Sequence, residues 1–526
     1  MVSPDLPRSG TWLGWARWGL PESRIPRMAQ SSVGCCIPGV AIRSLCSTLA
    51  PAMRLSANSP RILRPMLLAI FSLAVLARGL AAWSLRERWS EDRDLYLTIA
   101  RELVAGRGYS RPLTWQVSPT DASDNGGETS TSTPSQAWLL TPGPGAIPVC
   151  RLVIDEAASG GAGRAELAAT SLPTAYRPPL YPVLIAAVLW LGGGVGGVIA
   201  GQVLLGGVTA VLAMLAARRL GCPGHGVVAG LAVAVDPLLV GYSPQLMTET
   251  LAAFLVALVS LLAVGRGGRA QGVFLGGLLG LCALCRPTFL ATGLLWGLAL
   301  VWHPPEGPSR RRLLIVMLWG MTALVVAPWG IRNRTVLGDW IVSTTHGGYT
   351  LRLAHNPAYD EWLAGDHAAP FSGDAFARSA VPQIATVTDG RFEVAVDQAH
   401  ARAAWGHMAR NPRQVFVAGA SLWSRLWGPV PESLRSAPWW IRWGIGLFQA
   451  GVLLAAALGI WQLVKLRNCP LLVGWMGALL VSFTLVHFLY WADSRMRAPM
   501  LPGLAVLAAY GVHWLTIPIA RKTLPQ

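Results

Sequence analysis

The chain has 526 residues, of which 53% are hydrophobic and only 13% charged, with a formal net charge of +17. A soluble domain carries roughly 25% charged residues, so most of this chain cannot be solvated and a soluble globular protein is excluded. The basic residues stand beside apolar runs rather than in one patch, which suits span orientation and anionic lipid headgroups and excludes a nucleic-acid partner.

Residues 1–52 hold Cys35, Cys36 and Cys46, show no periodic pattern and contain no continuous apolar core of the kind a signal peptide needs. From Met53 the sequence MRLSANSPRILRPMLLAIF reads as a short basic tail entering a first span. Met53 or Met28 is therefore the expected start, and residues 1–52 are expected to be disordered or a mis-assigned extension. Apolar runs at 62–84, 195–217, 225–243, 248–265, 271–286, 287–302, 313–330, 438–463, 470–490 and 498–518 give about ten spans by the length of a hydrocarbon core. Arg218 and Arg219, Arg266 and Arg269, Arg310 to Arg312, Lys465 and Arg467, and Arg521 with Lys522 fall at alternate connections, which makes those connections and both termini cytoplasmic. Counting Pro179–Gly194 as a span would place Arg218 and Arg219 outside, so that segment is expected as a helix at the outer interface.

The expected fold is an all-α integral membrane domain over 53–518 with about ten transmembrane helices and a cytoplasmic tail at 519–526. Two extracytoplasmic lobes, 85–194 and 331–437, are far longer than ordinary connections and so are expected to carry function. The expected location is the cell (inner) membrane, with the active site facing the periplasm or exterior.

The first lobe opens on Glu91-Asp92-Arg93-Asp94-Leu95-Tyr96. Leu95, Ile99 and Leu103, with Tyr96 and Ala100, are at helical spacing, and the run stops at Gly106 and Gly108, which predicts a short amphipathic helix. Asp92 then lies at its first turn, where a carboxylate caps free amides as readily as it does chemistry. The stretch Ser118 to Ser135 is almost free of apolar residues and is expected to be a mobile loop. Arg177 opens RPPLYP at the outer interface, and Glu249 begins the fourth span, where an acid is favoured by the helix dipole, could hold an arginine or could steer a substrate.

Cys282 and Cys285 form a CxxC inside an apolar span without histidines nearby, so packing rather than zinc or redox chemistry is expected. Arg286 separates two apolar runs and reads as a tight outer turn that keeps its charge off lipid. In the second lobe, His346 precedes Gly347 and Gly348, which permit close backbone approach to a ligand; His355-Asn356-Pro357 follows. Arg332 lies at the start of this lobe, and Arg495 and Arg497 stand in DSRMR between the last two spans, as either interfacial anchors or phosphate ligands. Tryptophans, 24 in all, gather near span ends as an interfacial belt, and Trp83, Trp89 and Trp491 are candidates to flank a groove for a lipid chain.

An ordered series of blocks runs through the chain: EDRDLYLTIARELVAGRGY, YRPPLYPVLIAAV, YSPQLMTETLAAFLVAL, LCRPTFL, APWGIRNRTVLGDWIVSTTHGGYTLRLAHNP and WADSRMRAPMLPGLAVLAAYG. In this order the chain resembles the bacterial membrane glycosyltransferases of the C superfamily, relatives of dolichyl-phosphate-mannose protein mannosyltransferases and of the lipid A aminoarabinose transferase. The resemblance implies transfer of a sugar, with inversion, from a polyprenyl-phosphate donor to an extracytoplasmic glycan, lipid or protein acceptor. It implies a catalytic carboxylate in the first outer loop: Asp92 stands four residues before Tyr96, at the family's position, and Asp94 is the alternative. Tyr96, Glu249, Arg177, Arg332, Arg495 and Arg497 are the corresponding substrate-binding candidates, with Arg495 and Arg497 nearest the family's phosphate-side arginines. No tightly bound cofactor or metal is expected, although some distant relatives need a divalent cation. A polytopic transporter and a non-catalytic glycan-binding scaffold are the alternatives; a transporter should show inverted repeats, and no matching halves are visible.

Overall fold

The computed structural model describes residues 60–113, 115–119, 137–142, 150–153, 170–265, 268–302, 308–365, 371, 391–431, 434, 437–466 and 469–516. The expected extension at 1–52 and the tail at 519–526 lie outside these residues, as does most of the expected loop at 118–135; its first two residues, Ser118 and Pro119, end a strand.

Among the described residues the apolar runs are largely helical. In chain order, α1 is Pro60–Ser84, α2 Tyr96–Val104, α3 Leu180–Trp190, α4 Gly194–Arg219, α5 Gly226–Val235, α6 Pro237–Tyr242, α7 Glu249–Ala263, α8 Arg269–Cys285, α9 Thr288–Trp302 and α10 Pro308–Leu337. The second polar region holds α11 Gly347–Ala354, α12 Pro357–Ala364, α13 Arg391–Arg410 and α14 Pro412–Trp427. The chain closes with α15 Trp439–Lys465, α16 Pro470–Leu489, a 3-10 segment Ser494–Met500 and α17 Leu501–Thr516.

Among the described residues, 6 helical segments are long and apolar enough to cross a membrane: Leu63–Ser84, Gly194–Arg219, Arg311–Leu337, Trp439–Lys465, Pro470–Leu489 and Ser494–Thr516. The other expected spans are shorter apolar helices. The run 225–243 is broken, because Asp236 Oδ1 accepts from the Leu238 and Leu239 amides at 2.9 and 3.1 Å while Pro237 starts α6. That is an N-cap with proline in the first turn, and it ends α5. Buried Arg78 of α1 donates to the carbonyls of Val233 and Ala234 at 2.8 and 2.9 Å, satisfying the orphan end of α5. α10 itself continues past residue 331 to Leu337.

The helices pack through small residues. Gly272, Gly276 and Gly280 of α8 lie against α10, where a Cβ at Gly276 would stand 2.6 Å from the Leu318 carbonyl oxygen. Gly459 of α15 and Gly511 of α17 press against the Leu507 and Ala455 carbonyls so closely that neither tolerates a side chain. A shared core runs through these helices, with Trp296 on α9 against Trp475 on α16 at 5.0 Å between ring centroids.

The all-helical expectation is corrected by five short strands. β1 Ser110–Leu113 pairs antiparallel with β5 Thr170–Pro173, and β2 Trp115–Pro119, β3 Ala137–Pro142 and β4 Cys150–Val153 form an antiparallel three-stranded sheet in that order. Runs of four to six residues are too short for alternation to stand out in the sequence. The expected interfacial segment at 179–194 is α3, and the chain turns out of it through Gly192 and Gly194, at φ +81 and +57.

Candidate active site

The acidic stretch reaches α2 through a left-handed residue, Leu95, at φ +62. A leucine in this region costs about 1 kcal/mol and persists only where surrounding contacts demand it. The contacts are on both sides. Asp92 turns onto the helix: Oδ1 accepts from the Leu97 amide at 3.1 Å, and Oδ2 accepts from the Thr98 amide and hydroxyl, both at 2.7 Å. Asp94 turns the other way, and Oδ1 meets Arg177 at 2.7 Å while Oδ2 lies 3.5 Å from Arg495. Arg177 Nε also donates to the Asp94 carbonyl at 3.0 Å.

Arg177 is held over the rings of Tyr176 and Tyr96 at 4.8 and 5.5 Å, a stacking that suits the weakly hydrated guanidinium. Burial alone would raise the Asp94 carboxyl, but Arg177 and then Arg495 outweigh it and hold the group below the ordinary carboxylate range. Tyr96 is buried and meets Tyr181 edge-on at 5.1 Å, so it forms the floor under Arg177.

Arg495 carries the cluster further. Its Nε is 3.6 Å from Asp493 and 3.9 Å from Glu249, and Asp493 Oδ1 accepts from the Arg495 amide at 2.8 Å. Glu249, 1% exposed, accepts from Arg286 at 2.5 Å. Three arginines and three carboxylates from five parts of the chain thus converge: the turn before α2, the segment before α3, the start of α7, the α8–α9 junction and, for both Asp493 and Arg495, the 3-10 segment before α17 with its N-cap.

A cavity of about 390 Å³ opens beside Arg495. One part of its wall is charged, from Arg88, Glu91, Arg93, Asp493 and Arg495, and the rest is largely apolar, from Leu85, Leu238, Leu246, Met247 and Leu434. The charged part thus sets three arginines and two carboxylates beside an apolar stretch.

The remaining candidates lie elsewhere. Arg332 donates to the carbonyls of Thr174 and Tyr109 at 2.7 and 2.6 Å and so ties α10 to the β1–β5 region. Arg497 is fully buried and donates to the Leu426 and Gly428 carbonyls at 3.0 and 2.9 Å, closing the end of α14. His355 is buried against the Leu489 carbonyl at 2.8 Å. His346 packs between Tyr176 and Tyr349, at 4.5 and 5.0 Å, and burial lowers its pKa well below the ordinary imidazole value, with Arg177 adding to the effect. Trp83 is exposed, Trp89 donates to the Ala82 carbonyl, and Trp491 packs with Tyr359 and Phe371; none of the three lines the cavity. Cys282 and Cys285 are buried and free. Among the described residues no group of His, Cys, Asp and Glu is placed to hold a metal.

The sequence offered Arg286 only as a turn and Glu249 as an acid that could hold an arginine, without joining the two across their 37 positions. The pairing of Arg111 with Glu393 was also missed: Glu393 accepts from Thr174 Oγ1 at 2.6 Å and the Ala175 amide at 2.8 Å, receives the Thr345 hydroxyl, and lies 3.2 Å from Arg111. That buried knot fixes the stretch between β5 and Arg177 against α13, and an acid outside every motif carries no local signal of such a role.

No family model and no curated protein sequence matches the chain. Among solved structures it is similar to the oligosaccharyltransferase of Archaeoglobus fulgidus. The apo form is 12% identical with a TM-score of 0.44, covering 85% of this chain and 50% of that one. The form tethered to an acceptor peptide is 13% identical with a TM-score of 0.39, over 65% and 41% of the two chains. The complex with an inhibitory peptide and a dolichol-phosphate is 14% identical with a TM-score of 0.38, over 64% and 43%. The chain spans half or less of the length of these structures.

Proposed function

We propose that this protein transfers a sugar from a polyprenyl-phosphate donor to a nucleophile of a glycan, lipid or protein outside the cytoplasm. The observation that carries the reading is the junction, at Arg495, of the Asp94–Arg177–Arg495 cluster with a cavity whose wall is charged at one part, with three arginines and two carboxylates, and largely apolar at the other. The ordered blocks from Glu91 to Gly511 that resemble the C-superfamily glycosyltransferases point the same way.

In this reading the apolar wall takes the first isoprene units and Arg495 takes the phosphate. Asp94 accepts the proton of an acceptor hydroxyl as its oxygen attacks the anomeric carbon. The bond from that carbon to the phosphate oxygen breaks, and the polyprenyl phosphate leaves as an anion whose charge the arginines stabilise. Arg177 positions Asp94 and, with Tyr96, fixes the direction of its carboxylate. Family position favours Asp92 as the base, but its two oxygens already hold three hydrogen bonds at the start of α2, and that geometry favours Asp94. The second polar region, from Asn333 to Pro429, is the part we assign to acceptor choice, since loops on a rigid scaffold carry specificity.

Transfer from a short-chain polyprenyl-phosphate sugar, compared between Asp94→Asn and Asp92→Asn in membranes with matched expression, tests the assignment. Loss with Asp94→Asn and survival with Asp92→Asn is expected; the reverse moves the base to Asp92. Transport of the donor without transfer by the wild type would bring back the transporter reading.

A further inference from the structure

Arginine donors are normally matched to oxygen, and a buried guanidinium N–H left without one costs free energy. Two guanidinium groups in the cluster break this pattern in the same way. Arg286 gives Nε to Thr248 Oγ1 at 2.8 Å and Nη2 to Glu249 at 2.5 Å, but Nη1 faces only the Met496 sulfur, at 3.7 Å. Arg495 Nη1 faces the Met247 sulfur at 3.4 Å, with Asp94 Oδ2 no nearer than 3.5 Å, and its Nε has no hydrogen-bond partner. A thioether is a weak acceptor. Met247 and Arg495 line the cavity, and Glu249 joins Arg286 to that wall through contacts of 2.5 Å to Arg286 and 3.9 Å to Arg495.

We propose that Arg286 is a second phosphate-binding residue, which with Arg495 forms a two-guanidinium site whose unmatched donors rest on methionine sulfur until a phosphate oxygen replaces it. Glu249 is its positioning residue: one oxygen fixes Arg286, and the other is buried without a hydrogen-bond partner. The inference rests on the reading of the preceding section and adds a residue and a ligand geometry to it. The sulfur contacts are placeholders, so the methionines themselves contribute little to binding.

The test is binding of farnesyl phosphate, with farnesol as the neutral comparison, to the purified full chain in nanodiscs. Wild type is expected to prefer the phosphate. Losing one charge-assisted pair should weaken farnesyl phosphate by about tenfold or more in Arg286→Gln, leaving farnesol unchanged. Because Arg286→Gln strands the Glu249 charge, Glu249→Gln/Arg286→Gln, which removes both charges together, is measured beside it and should show the same selective loss. Met496→Leu should bind as wild type. If both arginine variants retain wild-type preference while Arg495→Gln loses it, Arg286 is structural and the inference fails. If wild type itself does not distinguish the phosphate from the alcohol, the polyprenyl-phosphate reading fails with it.

Discussion

Replacing Asp94 by Asn removes the charge that compensates Arg177 while keeping the side chain's shape. Both side chains are largely buried, at 16% and 17% exposure, and breaking a buried pair costs about 3 to 5 kcal/mol when the remaining charge has no other support. Arg177 does have support: the Asp94 carbonyl at 3.0 Å and the rings of Tyr176 and Tyr96 at 4.8 and 5.5 Å stay in place. The expected loss is therefore about 2 kcal/mol at neutral pH. The sign of its pH dependence follows from the lowered carboxyl pKa. Asp94 contributes stability above the unfolded carboxylate value of about 4, and that contribution disappears as pH falls through the lower folded value. Heat-induced exposure of the buried thiols Cys222, Cys282 and Cys285 to a thiol-reactive dye reports unfolding of the detergent-solubilised chain, read as an apparent midpoint at fixed scan rate. Asp94→Asn should unfold at lower temperature than wild type at pH 7, with the gap closing below pH about 4 as wild type loses the same interaction. Equal midpoints at pH 7, or a gap unchanged by acid, would refute the idea that Asp94 and Arg177 form a working ion pair.

Further outcomes follow from other contacts. Asp92→Ala should cost about 1 kcal/mol through loss of the acceptor for the Leu97 and Thr98 amides, whereas Asp92→Asn, which still offers an oxygen, should cost much less; the same thiol assay separates them. Gly459→Ala should destabilise by about 1 to 3 kcal/mol because its methyl group meets the Leu507 carbonyl, while Gly451→Ala on the same helix, which meets nothing within 4 Å, should be neutral or stabilising. Burial pushes the Asp397 carboxyl up to about 6, even though it accepts from the Gly348 amide at 2.6 Å. A raised acid pKa means that stability is complete below the unfolded value and is lost as pH rises toward 6, so Asp397→Asn should match wild type near pH 4 and exceed it at pH 7 in apparent midpoint.

The helices were legible because their signal is local. Apolar runs, Gly106 and Gly108 after α2, and the RPPLYP segment before α3 all mark elements within a few residues of themselves. The break at Asp236–Pro237 was equally local, an acid before a proline, yet the hydropathy of the run concealed it. What could not be read was pairing over distance. Arg78 reaches the end of α5, Arg497 the end of α14, and Glu393 the stretch between β5 and Arg177; each is a buried charge whose partner is fixed only by the packing of helices far apart in sequence. The same limit explains the candidate site. Asp92 and Asp94 are two residues apart and alike in composition, but the left-handed backbone at Leu95 sends one onto the helix and the other toward the arginines.

The most direct test of the account is sugar transfer by the full chain in proteoliposomes, followed as label moving from a polyprenyl-phosphate sugar to an added acceptor with release of polyprenyl phosphate. The account predicts transfer by wild type and its loss in Arg495→Gln, with the variant still folded by thiol protection. Transfer that is unchanged in Arg495→Gln, or no release of polyprenyl phosphate from any donor by wild type, would contradict it.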